Sequence, residues 1–335
     1  MSIIIRALKI DDPNEAPESV VQALEEIVAD CSWDSEHSGA ADGHTQATVS
    51  DIVAILTRKQ FCYLSKTRMK AYEATIEHSI GAALSDGAPI PFYFDVGGGY
   101  HASIDPAEPA LSFDVGLSEL CILRQICLFA KRVSEVYRPG LRFVLVVDNL
   151  CAHFVNDIAL ERTETYCDRL RRLIRELGLD ESVSVLVESE LIEVSAYADM
   201  IRAVPESHAS IPVSPQIVEN VSRFLGRSCE AGEAAARLQA YERTSEVSEA
   251  VVGPHVHGLR MTQRASPTTP PFRPFPGGDL RTQAGELVLV AADGGRVKYC
   301  LITTKNFADF DLAEIPLPSR LPRVLKSVRF AKRRA

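Results

Sequence analysis

The chain has 335 residues, of which 46% are hydrophobic, and this is enough for one large domain or two ordinary ones. Its net charge of −9 argues against a non-specific nucleic-acid binder, which needs a cationic surface to neutralise phosphates. No apolar run reaches membrane-spanning length, and the opening MSIIIRALKIDD turns acidic too soon for a secretory signal. We therefore expect a cytoplasmic protein with no nucleic-acid or membrane partner.

Cysteine usage favours the same location. The eight cysteines form no CxxC pair, and most lie in apolar or helical segments. This pattern is typical of free thiols in a reducing compartment, and its spacing gives no support to a zinc site.

The first 90 residues read as helical. Two stretches near Glu18–Cys31 and Val49–Arg58 come first, and apolar residues at three- and four-residue spacing predict a longer helix over Arg68–Leu84. Gly87-Ala88-Pro89 then ends that helix.

Apolar runs that alternate with helical patterns predict a parallel sheet. The runs Pro91–Val96, Leu141–Val147 and Val183–Val187 are mostly apolar, and Phe143–Val147 has no polar face, as is typical of a strand buried on both sides. Helical patterns over Gly116–Arg138 and Glu161–Leu177 separate them. This order predicts three neighbouring parallel strands with right-handed crossovers and helices on both faces of the sheet.

Polar side chains follow the second and third apolar runs. Asp148-Asn149 come directly after one, and Glu188-Ser189-Glu190 after the other. Because open α/β sheets hold ligands in a crevice at the carboxyl ends of their strands, we predict that Asp148, Glu188 and Glu190 meet at that edge. The alternative is that Asp148 only caps the next segment or starts a turn.

The first apolar run ends in a glycine-rich segment, Gly97-Gly98-Gly99-Tyr100-His101. Three glycines let the backbone approach a ligand closely and can expose N–H groups to an anion. The spacing does not match the dinucleotide-binding fingerprint, so a glycine-rich bend without a ligand is the alternative.

The last third of the chain begins with helical patterns and ends with strands. Residues 191–250 read as largely helical, with a proline-bearing break at Ile211–Pro215. Glu286–Ala291 and Val297–Thr303 predict a hairpin across Asp293-Gly294-Gly295, and the basic tail from Lys326 reads as a solvated terminus. We divide the chain into a helical segment (1–60), an α/β core (61–250) and a β-containing extension (251–335).

The sequence offers one close histidine pair, His255-Val256-His257. On a strand both rings would share a face, so a two-histidine metal site is conceivable, but no third ligand can be assigned. We therefore predict that no metal is bound stoichiometrically.

Several ordered segments carry a family resemblance. Gly87-Ala88-Pro89-Ile90 and Tyr137-Arg138-Pro139-Gly140 look like a GxPI and a YxPG step, each before a core strand. Asp148 stands where typical members have Asp-Gly, and Phe154, Asn156, Asp157 and Ile158 stand at a VFxD-like continuation, followed by a helix through Thr163–Leu170. The sequence resembles the pyoverdine/dityrosine biosynthesis family, whose best-known members are isocyanide (isonitrile) synthases. Residues 68–178 carry most of the match, with a weaker echo near Arg260–Gly278.

The resemblance implies a Rossmann-like α/β fold and an enzyme of secondary metabolism. Isocyanide synthases join the α-amine of an amino acid, commonly tyrosine or tryptophan, to a carbon from ribulose 5-phosphate, with no metal or nicotinamide cofactor. Such chemistry needs groups that hold an ammonium and move protons, and a cationic or N–H-lined site for an anion. The candidate catalytic residues are Asp148, Glu188, Glu190 and His101. The candidate substrate-binding residues are Gly97, Gly98, Gly99, Tyr100, Asn149, Asn156, His255, His257, Arg260, Thr262 and Arg264. An iron/2-oxoglutarate oxygenase acting downstream is the expected pathway partner.

Two departures from the family pattern keep other functions open. Asp95–His101 replaces a loop that carries a phosphate-holding lysine in typical members, and Asp148-Asn149 replaces Asp-Gly. The chain could instead be a transferase or condensing enzyme that modifies an amino acid without an isocyanide product. It could also be a non-catalytic partner protein on the same fold.

Overall fold

A computed structural model describes residues 16–31, 48–62, 66–103, 105, 110–205, 213–261, 285–292, 296–303 and 306–334. The helices are α1 (Ala16–Asp30), α2 (Val49–Leu56), α3 (Lys66–Met69), α4 (Glu73–Asp86), α5 (Leu117–Ser134), α6 (Asn149–Asn156), α7 (Leu160–Glu176), α8 (Val194–Ala203), α9 (Pro215–Leu225) and α10 (Ala231–Val252). The strands are β1 (Ile90–Gly97), β2 (His101–Ala102), β3 (Leu111–Ser112), β4 (Leu141–Val147), β5 (Val183–Val187), β6 (Leu259–Met261), β7 (Gly285–Ala292), β8 (Arg296–Thr303), β9 (Phe310–Pro316) and β10 (Ser327–Arg333).

The core of the molecule is a four-stranded parallel sheet with the order β5-β4-β1-β6. The three strands predicted from the apolar runs are neighbours and parallel, so that prediction is confirmed. Strand β6 was not predicted, because Leu259–Met261 is too short to show a periodicity of its own. It pairs with β1, where Leu259 lies opposite Phe92.

Both faces of this sheet are covered. On one face Phe92 and Phe143 stack with ring centroids 5.5 Å apart, and Phe129 of α5 packs edge-on against Phe92 at 5.4 Å. On the other face Val146 packs with Val252 at the end of α10. Packing on both faces explains why these strands are mostly apolar, and the Rossmann-like α/β fold is confirmed.

The turn that enters β4 is held by a tyrosine. Helix α5 ends at Ser134, four residues before the predicted end, and Tyr137 then donates a bifurcated hydrogen bond from its hydroxyl to the carbonyls of Ala83 and Ala88 at 2.9 and 2.8 Å. Gly87 ends α4 in the left-handed conformation, with φ 63°. These contacts tie the two proline turns that precede β1 and β4 to each other.

Helix α6 was missed from the sequence. It has only eight residues and begins directly after the strand end at Asp148, whose side chain makes no capping hydrogen bond. Instead, the Glu188 carboxylate accepts hydrogen bonds from N–H groups in the first turn of α6. Glu188 lies 38 residues after Leu150, the first of these donors. A cap supplied from another strand leaves no local sequence signal.

The carboxyl-terminal region forms a second sheet with the order β8-β7-β10-β9. The predicted β7–β8 hairpin is confirmed as an antiparallel pair, although its turn residues lie outside the described residues. The interpretation of the basic tail as a solvated terminus is wrong, because Val328 and Phe330 of β10 are buried in the main core. Alternating apolar residues anchor the inner face of β10, while its basic residues lie between them.

The remaining general features concern membranes and thiols. None of the helices in the described ranges has both the length and the apolar content needed to cross a bilayer. All eight cysteines are free thiols, as predicted, and six of them are buried.

Candidate active site

Four charged side chains from the parallel strands meet near one edge of the sheet. Asp95 lies near the end of β1, Asp148 directly follows β4, Glu188 directly follows β5, and Arg260 lies in β6. The strands are parallel, so these positions gather at their carboxyl ends, which is where open α/β sheets bind ligands.

Asp148 has the electrostatic properties of a functional group. Its Oδ1 atom is buried and has no hydrogen-bond partner among the described residues. Burial raises the pKa of the Asp148 carboxyl to about 7, with further increases from the charges of Glu188 and Asp95. A hydrogen bond from its own backbone N–H and the charge of Arg260 oppose this rise. The carboxyl therefore changes protonation state near neutral pH, as an acid/base group must. The alternative that it caps the next helix is wrong, since its side chain makes no such bond.

Glu188 positions helix α6. Its side chain is fully buried, and its Oε2 accepts hydrogen bonds from the backbone N–H groups of Leu150 and Cys151, both at 3.1 Å. Its Oε1 accepts a hydrogen bond from the Tyr197 hydroxyl at 3.2 Å. Burial raises the pKa of Glu188, while these donors oppose that rise. These hydrogen bonds hold the Glu188 carboxylate at the N-terminus of α6, and its negative charge raises the pKa of Asp148.

The predicted site residue Glu190 lies away from this edge of the sheet. Glu190 forms an ion pair with Arg171 at 2.6 Å and is half exposed, so the prediction that it joins Asp148 is wrong. The cause is the 3₁₀ turn over Glu188–Glu190, which has three residues per turn and sends alternate side chains in different directions.

Asn149 is a structural residue. It is fully buried, donates to the hydroxyl of Ser189 at 2.9 Å, and accepts from the Ser189 backbone N–H at 3.1 Å. Its side-chain amide therefore ties the start of α6 to the turn after β5. These bonds occupy the Asn149 amide away from solvent, and substrate binding by Asn149 stays a prediction.

Arg260 lies at the predicted edge, paired with a carboxylate that the sequence analysis did not select. Its Nε and Nη2 donate to Asp95 Oδ2 at 3.0 and 2.6 Å. Both side chains are about one-third to two-fifths exposed, so the pair borders solvent. Asp95 could have been found from sequence, because it lies near the end of an apolar strand as Asp148 follows one.

The glycine segment packs against helices. A Cβ atom on Gly98 would lie 2.5 Å from the Cβ of Ala152 in α6, and Gly99 adopts φ 81° beside Thr163, Tyr166 and Val147. Gly98 and Gly99 therefore permit close contact with α6 and α7, as the alternative of a bend without a ligand predicts. Next to them, the Tyr100 hydroxyl accepts a hydrogen bond from Asn156 Nδ2 at 2.7 Å.

We expect Gly98→Ala to destabilise the protein by about 1–3 kcal/mol, because the new methyl group overpacks the contact with α6. The measurement is urea unfolding of the single variants Gly98→Ala and Ala152→Gly and of the double variant. The cost of Gly98→Ala should shrink once the Ala152 methyl is removed, and strictly additive effects would contradict a direct contact.

The histidine candidates lie outside this cluster. His101 pairs with Glu119, where its Nε2 lies 2.8 Å from Oε1. His255 ends a 3₁₀ turn, and His257 precedes β6, so the assumption that both lie on one strand is wrong; both are exposed. Thr262 and Arg264 lie outside the described residues.

The metal prediction has a direct test. Within the described ranges, no three histidine, cysteine, aspartate or glutamate residues are grouped so that they could hold a metal ion. We expect elemental analysis of untreated protein to find far less than one equivalent of any transition metal. A stoichiometric metal that survives dialysis would contradict the prediction.

Comparisons with known proteins bear on the fold. No protein-family model matches the sequence, and no curated protein matches it. The PvcA protein from Pseudomonas aeruginosa superposes with a TM-score of 0.56 at 15% sequence identity, over 84% of this chain and 99% of that chain. The chain shares the fold of PvcA. A tyrosyl-tRNA synthetase from Archaeoglobus fulgidus, solved with L-tyrosine, reaches a TM-score of 0.37 at 13% identity over 64% of this chain and 55% of that one, which is too slight a likeness to interpret.

Proposed function

We propose that this chain is a cytoplasmic biosynthetic enzyme of the isocyanide synthase type that acts on the α-amine of an amino acid similar to tyrosine or tryptophan. Ribulose 5-phosphate is the proposed carbon donor, and an iron/2-oxoglutarate oxygenase the proposed downstream partner. The observation that supports this most is Asp148, a carboxyl with an unpartnered oxygen and a pKa of about 7 at the ligand-binding edge of the sheet.

Asp148 suits an ammonium ligand. A buried carboxylate oxygen without a partner is unfavourable, and a cation beside it would supply a charge and the missing hydrogen bond. Binding an ammonium would lower the pKa of Asp148, so a protonated carboxyl would release its proton as the ligand binds. The same carboxyl could then accept a proton from the amine as a new bond forms at nitrogen.

Arg260 suits the anionic end of a substrate. Its pair with Asp95 uses Nε and Nη2 and leaves Nη1 for a carboxylate or phosphate oxygen. A cation and an anion site at one sheet edge match the two charged groups of an amino acid. The fold shared with PvcA agrees with the Rossmann-like fold that the sequence resemblance implies.

One observation favours a second candidate, an amino-acid-modifying transferase or condensing enzyme that uses no sugar phosphate. The segment after β1 has no lysine, and Gly98 in it packs directly on Ala152. A phosphate held there would have to rely on other cations.

Ligand-induced stabilisation and product analysis distinguish these functions. We expect tyrosine or tryptophan to raise the melting temperature, since a ligand that binds only the native state stabilises it. Incubation with uniformly ¹³C-labelled ribulose 5-phosphate should then give an isocyanide that contains one labelled carbon. An amino-acid response without label in the product would favour the second candidate. No response to any amino acid would favour a non-catalytic partner protein.

A further inference from the structure

A second site lies in a cavity with a volume of about 460 Å³. Its walls come from the start of α5, from the segment after β1 and from β7 and β10 of the carboxyl-terminal sheet. A volume of this size is typical of small-molecule sites. The Tyr100 side chain lines the cavity, and its hydroxyl accepts a hydrogen bond from Asn156 Nδ2 of α6.

The cavity contains a histidine fixed by a buried carboxylate. His101 Nε2 lies 2.8 Å from Glu119 Oε1, and the Glu119 side chain is only 3% exposed while the His101 side chain is 41% exposed. Glu119 is itself held by the Tyr166 hydroxyl at 3.1 Å and the Gly116 backbone N–H at 2.7 Å. The pair is a close charge contact rather than an aligned hydrogen bond, because Nε2 makes no hydrogen bond among the described residues. Nδ1 is then the ring nitrogen left to meet a ligand.

The lining carboxylates already have partners. Glu119 pairs with His101, and Glu286 pairs with Arg329 at 2.9 Å. Asp114 pairs with Arg169, which is not part of the lining, and Glu314 accepts a hydrogen bond from the Ser327 hydroxyl.

Two cations of the lining add positive charge. The side chain of Lys326 is exposed and forms no ion pair within the described part of the chain. Arg223 is only 5% exposed and donates from Nε to the carbonyl of Ser103 at 3.1 Å. Burial lowers the pKa of Arg223, and the charge of Glu219 opposes that effect.

We propose that this cavity binds a small oxyanion-bearing metabolite, a phosphate or carboxylate ester or acid, through His101 Nδ1 and Lys326. Protonated histidine, arginine and lysine are the side chains that form charge-assisted hydrogen bonds to such groups. The Glu119 carboxylate keeps the pKa of His101 above its usual value, against the effect of burial, which favours the donor form of the ring. This site goes beyond the proposed function, which rests on Asp148.

Calorimetric titration of the full chain with inorganic phosphate and with malonate tests the proposal. The probe that binds with the higher affinity identifies the class of oxyanion. We expect saturable binding of at least one probe, weakened about tenfold or more by His101→Asn, since one charge-assisted hydrogen bond is lost. His78→Asn, a histidine exposed on α4, is the matched control and should bind as wild type does. Asp148→Asn should also bind normally, which separates this site from the proposed active site.

A second variant guards against a folding defect in His101→Asn. Lys326→Met leaves the His101–Glu119 pair intact and should weaken binding several-fold. Absence of saturable binding, equal binding by all variants, or a loss caused by Asp148→Asn and not by His101→Asn or Lys326→Met would each overturn the proposal.

Discussion

Replacing Asp148 with asparagine is expected to stabilise the protein above neutral pH and to weaken its affinity for an amino acid. The pKa of this carboxyl rises from about 3.8 in an unfolded chain to about 7 in the folded protein. Below the lower value both states are protonated and folding carries no electrostatic cost. Between the two values only the folded state keeps the proton, so stability falls by about 1.4 kcal/mol per pH unit as pH rises, and above the higher value the loss is complete.

The difference between the folded and unfolded pKa values of Asp148 sets the size of the change in stability. Relative to wild type, Asp148→Asn should gain about 4 kcal/mol in unfolding free energy between pH 4 and pH 8, because asparagine has no proton to lose. Urea unfolding at several pH values measures it. Asp168→Asn, an exposed position on α7, is the matched control and should follow wild type. If Asp148→Asn keeps the pH dependence of wild type, the carboxyl is not the perturbed group.

The amino-acid affinity of the same variant tests whether Asp148 binds the substrate. A charge-assisted hydrogen bond contributes about 1.5–3 kcal/mol, so Asp148→Asn should weaken amino-acid affinity by roughly one to two orders of magnitude. Higher stability together with lower affinity is the expected signature of a residue kept for function rather than for folding. Unchanged affinity would leave Asp148 without a role in binding.

The second large effect concerns Glu188. We expect Glu188→Ala to lower the unfolding free energy by about 3–5 kcal/mol, because the N–H groups of Leu150 and Cys151 and the Tyr197 hydroxyl lose a buried acceptor. Glu190→Ala is the matched control in the same turn. Its exposed pair with Arg171 should contribute less than about 1 kcal/mol. Equal losses for the two variants, measured by urea unfolding, would contradict the assigned roles.

Glu188→Gln gives a separate measurement. The side chain keeps its size and one acceptor oxygen, and it loses the charge that raises the pKa of Asp148. We expect the pKa of Asp148, followed by NMR of its carboxyl carbon, to fall in this variant. An unchanged pKa would show that the charge of Glu188 does not act on Asp148.

The parallel sheet could be predicted from sequence because its strands have an unusual composition. Phe92, Phe143 and Val183 lie in short, mostly apolar runs, and such runs are recognisable without any knowledge of the partner strands. Strands β6 and β10 do not have this property. Strand β6 has only three residues. Strand β10 alternates Val328 and Phe330 with basic residues, and this composition suggested a solvated terminus.

The site was only partly predictable, for reasons that also lie in tertiary contacts. Asp148 was found because it ends a strand, and Asp95 could have been found in the same way. Glu188 and Glu190 are indistinguishable in sequence, since a single 3₁₀ turn decides which one is buried under α6 and which one meets Arg171. His101 pairs with Glu119 of α5 rather than with the Asp148 cluster, and no local sequence pattern reveals a contact between residues so far apart in the chain.

Proton release on amino-acid binding tests the proposed role of Asp148 most directly. At about pH 6.5 a carboxyl with a pKa near 7 is mostly protonated, so an ammonium that binds beside it should expel roughly 0.7 proton. Calorimetry in two buffers of different ionisation enthalpy measures this number. We predict release of that size for wild type and none for Asp148→Asn. Binding without proton release, or with equal release in the variant, would show that the ammonium does not meet Asp148.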